Sequence, residues 1–406
     1  MWRVIPAVKG CTRMSNYLIM DVPRAFHMAQ PVDTRPTLRM FKGAWFWVYW
    51  VIVVPSVLMM IGTVALPALL LDGTVSVVAA LLMLVEILVV VAVVLWLKIS
   101  RGTPIRMAVL AVLWGGSAAM ILTSTFGAGP MMSLVDKLGL YSLTASFVGA
   151  YPEEIMKGLG IWFVLMIGRS WWNRPWHGIV AGMLVGVGFD AVENMIYSLN
   201  LAPMNPESDM QGMLQIFGMR TVVGAGLHII FSGFVGFGIG QALFARTDRR
   251  GVPRTKAWRL GQVVLWGAAG FAAHFAFNAM LFSDYPVIQL IWHIGVWLVI
   301  VTGLVVLIWR QTKRLKPELD AGLYPAVTLY IKQYAPETRF AGVPLGVSGL
   351  PAAWPQPVGQ REPLQSSANL HSDPHSSPHP GSHHQAYVPT TPQHRVPMPS
   401  RSDRFR

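Results

Sequence analysis

Residues 74–97 read TVSVVAALLMLVEILVVVAVVLWL, an unbroken apolar run in which Glu86 is the one charged side chain. A hydrocarbon core of ~30 Å is crossed by about 20 helical residues. Backbone in lipid must satisfy its own hydrogen bonds, which leaves helices and closed barrels. Barrel strands alternate apolar and polar residues, whereas this run is apolar on every side, so it reads as a membrane-spanning helix.

Outward from it, seven further blocks have the same character: Trp45 to Leu70, Ile105 to Gly127, Leu143 to Gly168, Gly178 to Asn200, Thr221 to Phe244, Trp258 to Phe282 and Val287 to Trp309. The expected fold class is therefore all-α, a polytopic membrane helical bundle of about eight transmembrane helices. Composition agrees: 53% of residues are hydrophobic and 13% charged. The domains follow as an N-terminal arm over residues 1–43, a transmembrane core over 44–310, and a Pro/Ser/His-rich tail over 311–406 that is expected to be mostly disordered. Within that tail, Ala326 to Tyr334 has the composition of a short helix or strand lying against the membrane. The tail histidines His371, His375, His379, His383, His384 and His394 read as low-complexity sequence rather than a metal site. No cleavable signal peptide is expected, since the first apolar block is too long for one.

Charge sets the orientation. Basic residues cluster in alternate segments: Arg35, Arg39 and Lys42; Lys98, Arg101 and Arg106; Arg169 and Arg174; Arg246, Arg249, Arg250, Arg254 and Lys256; Arg310, Lys313, Arg314 and Lys316. The intervening segments carry Asp72, Asp136 with Lys137, Glu207 and Asp209 with Arg220, and Asp284. With eight spans every basic segment falls on one side, and both termini are cytoplasmic. The net charge of +13 is thus topology-setting charge, and nucleic acid is not an expected partner. The lone Cys11 forms no internal disulfide.

Ionisable groups inside a span cost about 2.5–3.5 kcal/mol each and need a reason. The fourth block holds Glu153, Glu154 and Lys157, the fifth Glu193, the sixth His228, and the seventh His274 with Asn278. At 1.5 Å rise per residue, Glu153, Glu193, His228 and His274 fall about 10–15 Å below the outer surface, in one layer. Glu153 and Lys157 are four apart, as are His274 and Asn278, so each pair shares a helix face. Pro152 is expected to kink its helix just before the glutamates. Gly178, Gly182 and Gly186, with Gly236 and Gly240, make small-residue faces for close helix packing. Glu86 and His293 read as structural; Asp190, one turn before Glu193, reads either as a supporting group or as a bystander.

Imidazole and carboxylate are the ligands of catalytic zinc, which takes three protein ligands and a water. The expected ligands of Zn2+ or another divalent metal are Glu193, His228 and His274. Glu153 and Glu154 then share the base and proton-transfer work, Lys157 or the metal compensates their charge, and Asn278 orients the substrate carbonyl or oxyanion. A metal-free glutamate–histidine pair could activate the same water.

At these residues the chain resembles the PrsW family of intramembrane proteases, related to the CAAX-protease and bacteriocin-processing group. Glu153-Glu154-Ile155-Met156-Lys157 looks like its EExxK motif and Phe189-Asp190-Ala191-Val192-Glu193 its second motif, where Glu replaces the histidine of the CAAX proteases. His228 and the His274–Asn278 pair match the rest. The resemblance covers roughly Leu143 to Phe282. It implies an intramembrane endopeptidase cleaving a single-span membrane protein, in regulated proteolysis that can release a regulator such as an anti-sigma factor, in a bacterial cell membrane. Other protease chemistries fit poorly: there is no HExxH, only Asp190 could serve an aspartyl pair, and Ser232-Gly233 lacks the glycine of a GxSG motif. A proton-coupled transporter using the same cluster is the alternative, and a catalytically dead scaffold the third reading. Carrier sites lie near the midplane, whereas this layer lies toward the outside.

Overall fold

The computed structural model describes residues 17–23, 40–41, 43–70, 73–224, 226–248, 252–320 and 326–332. Helices dominate: α1 (Ala44–Leu70), α2 (Gly73–Trp96), α3 (Ile105–Leu138), α4 (Tyr151–Ile167), α5 (Pro175–Leu201), α6 (Asp209–Val223), α7 (Leu227–Phe244), α8 (Lys256–Asn278) and α9 (Pro286–Asp320). Seven of these are long and apolar enough to cross a membrane. The remaining block, the fourth in the chain, is α4, which is shorter and carries Glu153, Glu154 and Lys157, yet is buried along one face. Its other face exposes Tyr151, Ile155 and Leu159, apolar residues suited to lipid.

Several boundaries differ from those read in the sequence. The run Thr221 to Phe244 is two helices, because Gly224 ends α6 and Gly226, at φ +72°, starts α7 in a left-handed conformation that glycine adopts without strain. Arg220 therefore sits on a helix rather than in a loop. The seventh span stops at Asn278, where Ala279 is extended and the Met280 amide bonds to the Ser142 carbonyl at 2.9 Å. The last helix continues through Trp309 to Asp320. The rest of the expected disordered tail, including its histidines, lies almost wholly outside the described residues.

Two strands flank the bundle. β1 (Tyr17–Pro23) pairs antiparallel with β2 (Ala326–Lys332), Tyr17 opposite Lys332 and Pro23 opposite Ala326. β1 precedes the first span in the chain and β2 follows the last.

Helix α5 is the axis of the molecule and packs most extensively on α7. Glycine makes that approach possible. A Cβ on Gly178 would strike the Gly236 carbonyl, one on Gly182 the Ser232 carbonyl, and one on Gly186 the His228 carbonyl. With no hydrophobic gain available between helices in lipid, such close packing is the main source of association. It also sets register: Gly186 against His228 places Glu193, two turns further on, at the level of the His228 ring. On the opposite side of α5, α3 is wound locally into π-helix at Trp114–Ala119 and Thr123–Gly127. Gly115 and Gly116 there press on the α5 backbone at Val185 and Gly188. A third π turn, Ser146–Ala150, leads into α4 immediately before the glutamates. The distortion expected at Pro152 thus takes the form of a π turn, with Pro152 itself seated against Gly127.

Candidate active site

Four helices converge where the sequence places their costly residues. Lys157, on the buried face of α4, is the centre of the polar contacts and is itself 0% exposed. Its ammonium donates to Glu154 Oε1 at 2.6 Å, to Glu153 Oε2 at 3.3 Å and to His228 Nδ1 at 3.0 Å, and lies 4.3 Å from the centroid of the Phe189 ring. Two adjacent carboxylates in an apolar interior are tolerable because a cation stands between them. The i,i+3 and i,i+4 spacings deliver that contact without help from another helix.

The two imidazoles stand perpendicular, with ring centroids 5.1 Å apart. Each has a carboxylate on one nitrogen. His228 Nε2 is 3.1 Å from Glu193 Oε2, and His274 Nδ1 is 3.0 Å from Glu154 Oε1. Their other nitrogens face a common carboxylate: His228 Nδ1 and His274 Nε2 lie 3.7 Å and 3.9 Å from Glu153 Oε2. Phe231 stacks on His274 at 4.5 Å and fixes the plane of that ring.

Glu153, Glu154, His228 and His274 form a buried group whose ligand atoms all lie within 4.8 Å of one another. Donors on a tetrahedral zinc ion sit about 3.4 Å apart, given bonds of ~2.1 Å. The widest spacing exceeds that by about 1.4 Å, a gap that small side-chain movements close; the donor chemistry is nitrogen and carboxylate oxygen, and Glu154 Oε2 is buried with no hydrogen-bond partner in the structure. The residues present therefore fit a divalent ion. Glu193, expected as a ligand, stands outside this group: its carboxylate is held between His228 and Arg220, whose Nη2 bonds Oε2 at 2.5 Å.

The cluster opens onto a cavity of about 850 Å³, lined by Glu153, Glu193, His228, His274 and Asn278 among others. Glu154 and Lys157 do not line it. Gly149, on the π turn before α4, forms part of the wall. A Cβ there would lie 3.2 Å from both Glu153 Oε1 and Asn278 Nδ2 and 3.8 Å from His274 Nε2, so any side chain would crowd the carboxylate and the amide and cover them from the cavity. Asn278 is anchored by its Nδ2 donating to the Ala145 carbonyl at 3.2 Å.

Asp190 lines the same cavity, 4.0 Å from His228 Nε2. Glu86 accepts from Asn194 Nδ2 at 3.0 Å. His293 lies apart, against Gln289 and Phe277. The sequence reading missed Arg220; its only signal was a lone cation in an otherwise acidic segment.

A bundle of apolar helices that buries two glutamates, a lysine and two histidines beside a substrate-sized cavity has the architecture of an intramembrane hydrolase. A model of the PrsW family, described as an intramembrane metalloprotease, matches residues 103–308, from just before α3 into α9. That is just over half of the chain, and the chain belongs to this family. It is an integral membrane enzyme, an intramembrane protease; family membership sets aside the transporter and scaffold readings. No curated protein and no solved structure matches it.

Proposed function

We propose that the chain is a zinc-dependent endopeptidase that cleaves single-span membrane proteins, with Glu154, His228 and His274 holding the ion and Glu153 acting as the base. The observation carrying this reading is that Glu153, His228, His274 and Asn278 line one cavity of about 850 Å³, in which a peptide carbonyl and a water come within reach of these groups. The chemistry the ion supplies when bound is activation of water and polarisation of the scissile carbonyl.

The residues of the chain do the rest. Glu153 is the one of the two adjacent glutamates that lines the cavity, so it takes the proton of the attacking water at Oε1 and returns it to the leaving amine. Asn278 donates to the carbonyl oxygen as negative charge develops there. Lys157 stays behind the cavity wall and offsets the charge of Glu154. Because its ammonium touches donor atoms of Glu153, Glu154 and His228, ion and ammonium compete for the same groups. The surrounding helices keep bulk water from the site, and the cavity admits an unwound segment of substrate.

The substrate reading is a single-span protein in a bacterial cell membrane whose cleavage starts the release of a regulator, such as one of the anti-sigma kind. Both termini are cytoplasmic in this reading, supported by the basic segments. The test is cleavage of a single-span reporter by wild type and by Glu153→Gln in proteoliposomes. Loss of cleavage in the variant, with insertion unchanged, is expected; equal cleavage overturns the assignment of the base.

A further inference from the structure

We propose that Arg220 is a positioning residue of the active site, acting from helix α6 through Glu193 on His228. The inference rests on the centre described under the proposed function and adds to it a residue outside the motifs that carry the family resemblance.

Arg220 is fixed on three sides. Its Nη2 pairs with Glu193 Oε2 at 2.5 Å and its Nε donates to Asn194 Oδ1 at 3.0 Å, so the guanidinium fork spans two consecutive residues of α5. Its Cζ lies 4.1 Å from the centroid of the Tyr197 ring, one turn further along α5 from Glu193. Asn194 is held in turn by its bond to Glu86 of α2. A chain of polar contacts thus runs from Glu86 through Asn194 and Arg220 to Glu193 and ends on His228 Nε2.

Glu193 needs this partner. Its side chain is largely buried, and a buried carboxylate without a counter-charge is costly. Lys157 does not supply one by contact: its bonds go to Glu153, Glu154 and His228 Nδ1, on the other edge of the ring. With Arg220 in place, Glu193 Oε2 is fixed as acceptor for the Nε2 proton of His228. That selects the tautomer whose Nδ1 lone pair faces the centre, the arrangement by which a carboxylate orients a metal-ligating histidine. Glu193 on this view positions a ligand rather than being one.

A purely structural role for Arg220 would be to staple α6 to the bundle. Helix α6 has its own apolar anchor, however: Met213 and Phe217 are buried against Met195, Leu199 and Ala202 of the α5 end. Docking has a basis without the ion pair, and the guanidinium points past that patch to the cavity wall.

The experiment uses the full-length protein in detergent with a single-span peptide reporter. It compares wild type, Arg220→Met, Arg220→Lys, Glu193→Gln, the double variant Glu193→Gln/Arg220→Met, and His228→Ala, with kcat, KM, bound zinc and thermal stability measured for each. Loss of a partner that orients a metal ligand costs roughly 10–100-fold in activity or metal affinity. Arg220→Met is expected to lose that much kcat or zinc affinity with KM little changed. Arg220→Lys should recover part of the loss, and Arg220→Met should cost nothing further in the Glu193→Gln background, since the two act as one unit. A wild-type kcat and zinc content in Arg220→Met, an effect on KM alone, or additive losses in the double variant would overturn the proposal. Full activity and zinc in His228→Ala would instead sink the underlying reading of the centre; an inactive His228→Ala beside a fully active Arg220→Met would sink only the role of Arg220.

Discussion

Glu193 and Lys157 hold opposite edges of the same imidazole: Glu193 Oε2 is 3.1 Å from His228 Nε2, and Lys157 Nζ is 3.0 Å from His228 Nδ1. One ring is thereby shared between an anion bound to α6 and a cation bound to the paired glutamates of α4. Groups from four helices become a single electrostatic unit, and the predictions follow from cutting that unit at different points.

Replacing Lys157 by Met leaves Glu153 and Glu154 adjacent, buried and without their counter-charge. Breaking a buried pair in this way costs roughly 3–5 kcal/mol. Thermal stability of Lys157→Met in chelator should fall well below that of wild type, and added zinc should restore more stability to the variant than to wild type. Equal stabilisation of both proteins by zinc would show that ion and ammonium do not share donors.

Gly149→Val puts methyl groups where the Cβ position already lies 3.2 Å from Glu153 Oε1 and Asn278 Nδ2. Cleavage should drop by roughly 100-fold or more, because misplacement of about 1 Å at the reacting atoms is that costly. Bound zinc should fall less than cleavage, since the ion-holding atom nearest the Cβ position, His274 Nε2, lies at 3.8 Å, an ordinary van der Waals distance. Unchanged kcat would mean that the substrate carbonyl enters elsewhere.

Gly182→Leu attacks the register of α5 on α7 instead of the chemistry. No space exists for a side chain against the Ser232 carbonyl, and overpacking of a close helix pair costs about 1–3 kcal/mol or more. The variant should lose thermal stability and activity together, with the loss of activity tracking the folded fraction. A stable, active Gly182→Leu protein would contradict the packing described for these two helices.

Topology can be read by labelling single cysteines after Cys11→Ser. A cysteine at Glu207 should react from outside intact cells, and one at Arg254 only after permeabilisation. The reverse pattern would invert the orientation set by the basic segments.

Much of this was legible in the chain because lipid makes polar residues expensive. Glu153, Glu154, Lys157, His228 and His274 stand out against apolar surroundings, and their depths along alternating helices match. The glycine faces of α5 and α7 were equally plain. What the sequence concealed are features with no periodic or compositional mark. The break at Gly224–Gly226 falls in a run apolar enough to read as one span. Arg220 lies far in the chain from the α4 motif and reads as a loop charge until α6 brings it against Glu193. The π turns depend on how α3 and the start of α4 fit their neighbours. The ligand set read from the motifs included Glu193, yet which carboxylates surround one point and which stand behind a histidine depends on rotamers that spacing does not fix.

The measurement closest to the central claim is zinc content and reporter cleavage of the same purified samples of wild type, Glu153→Gln, Glu154→Gln, His228→Ala and His274→Ala. Glu153→Gln should retain zinc but lose cleavage by about 100-fold or more, as loss of a general base requires, while Glu154→Gln, His228→Ala and His274→Ala should lose zinc and cleavage together. Wild-type protein that cleaves at full rate with no divalent metal bound, or His228→Ala and His274→Ala proteins that keep both zinc and activity, would contradict the account.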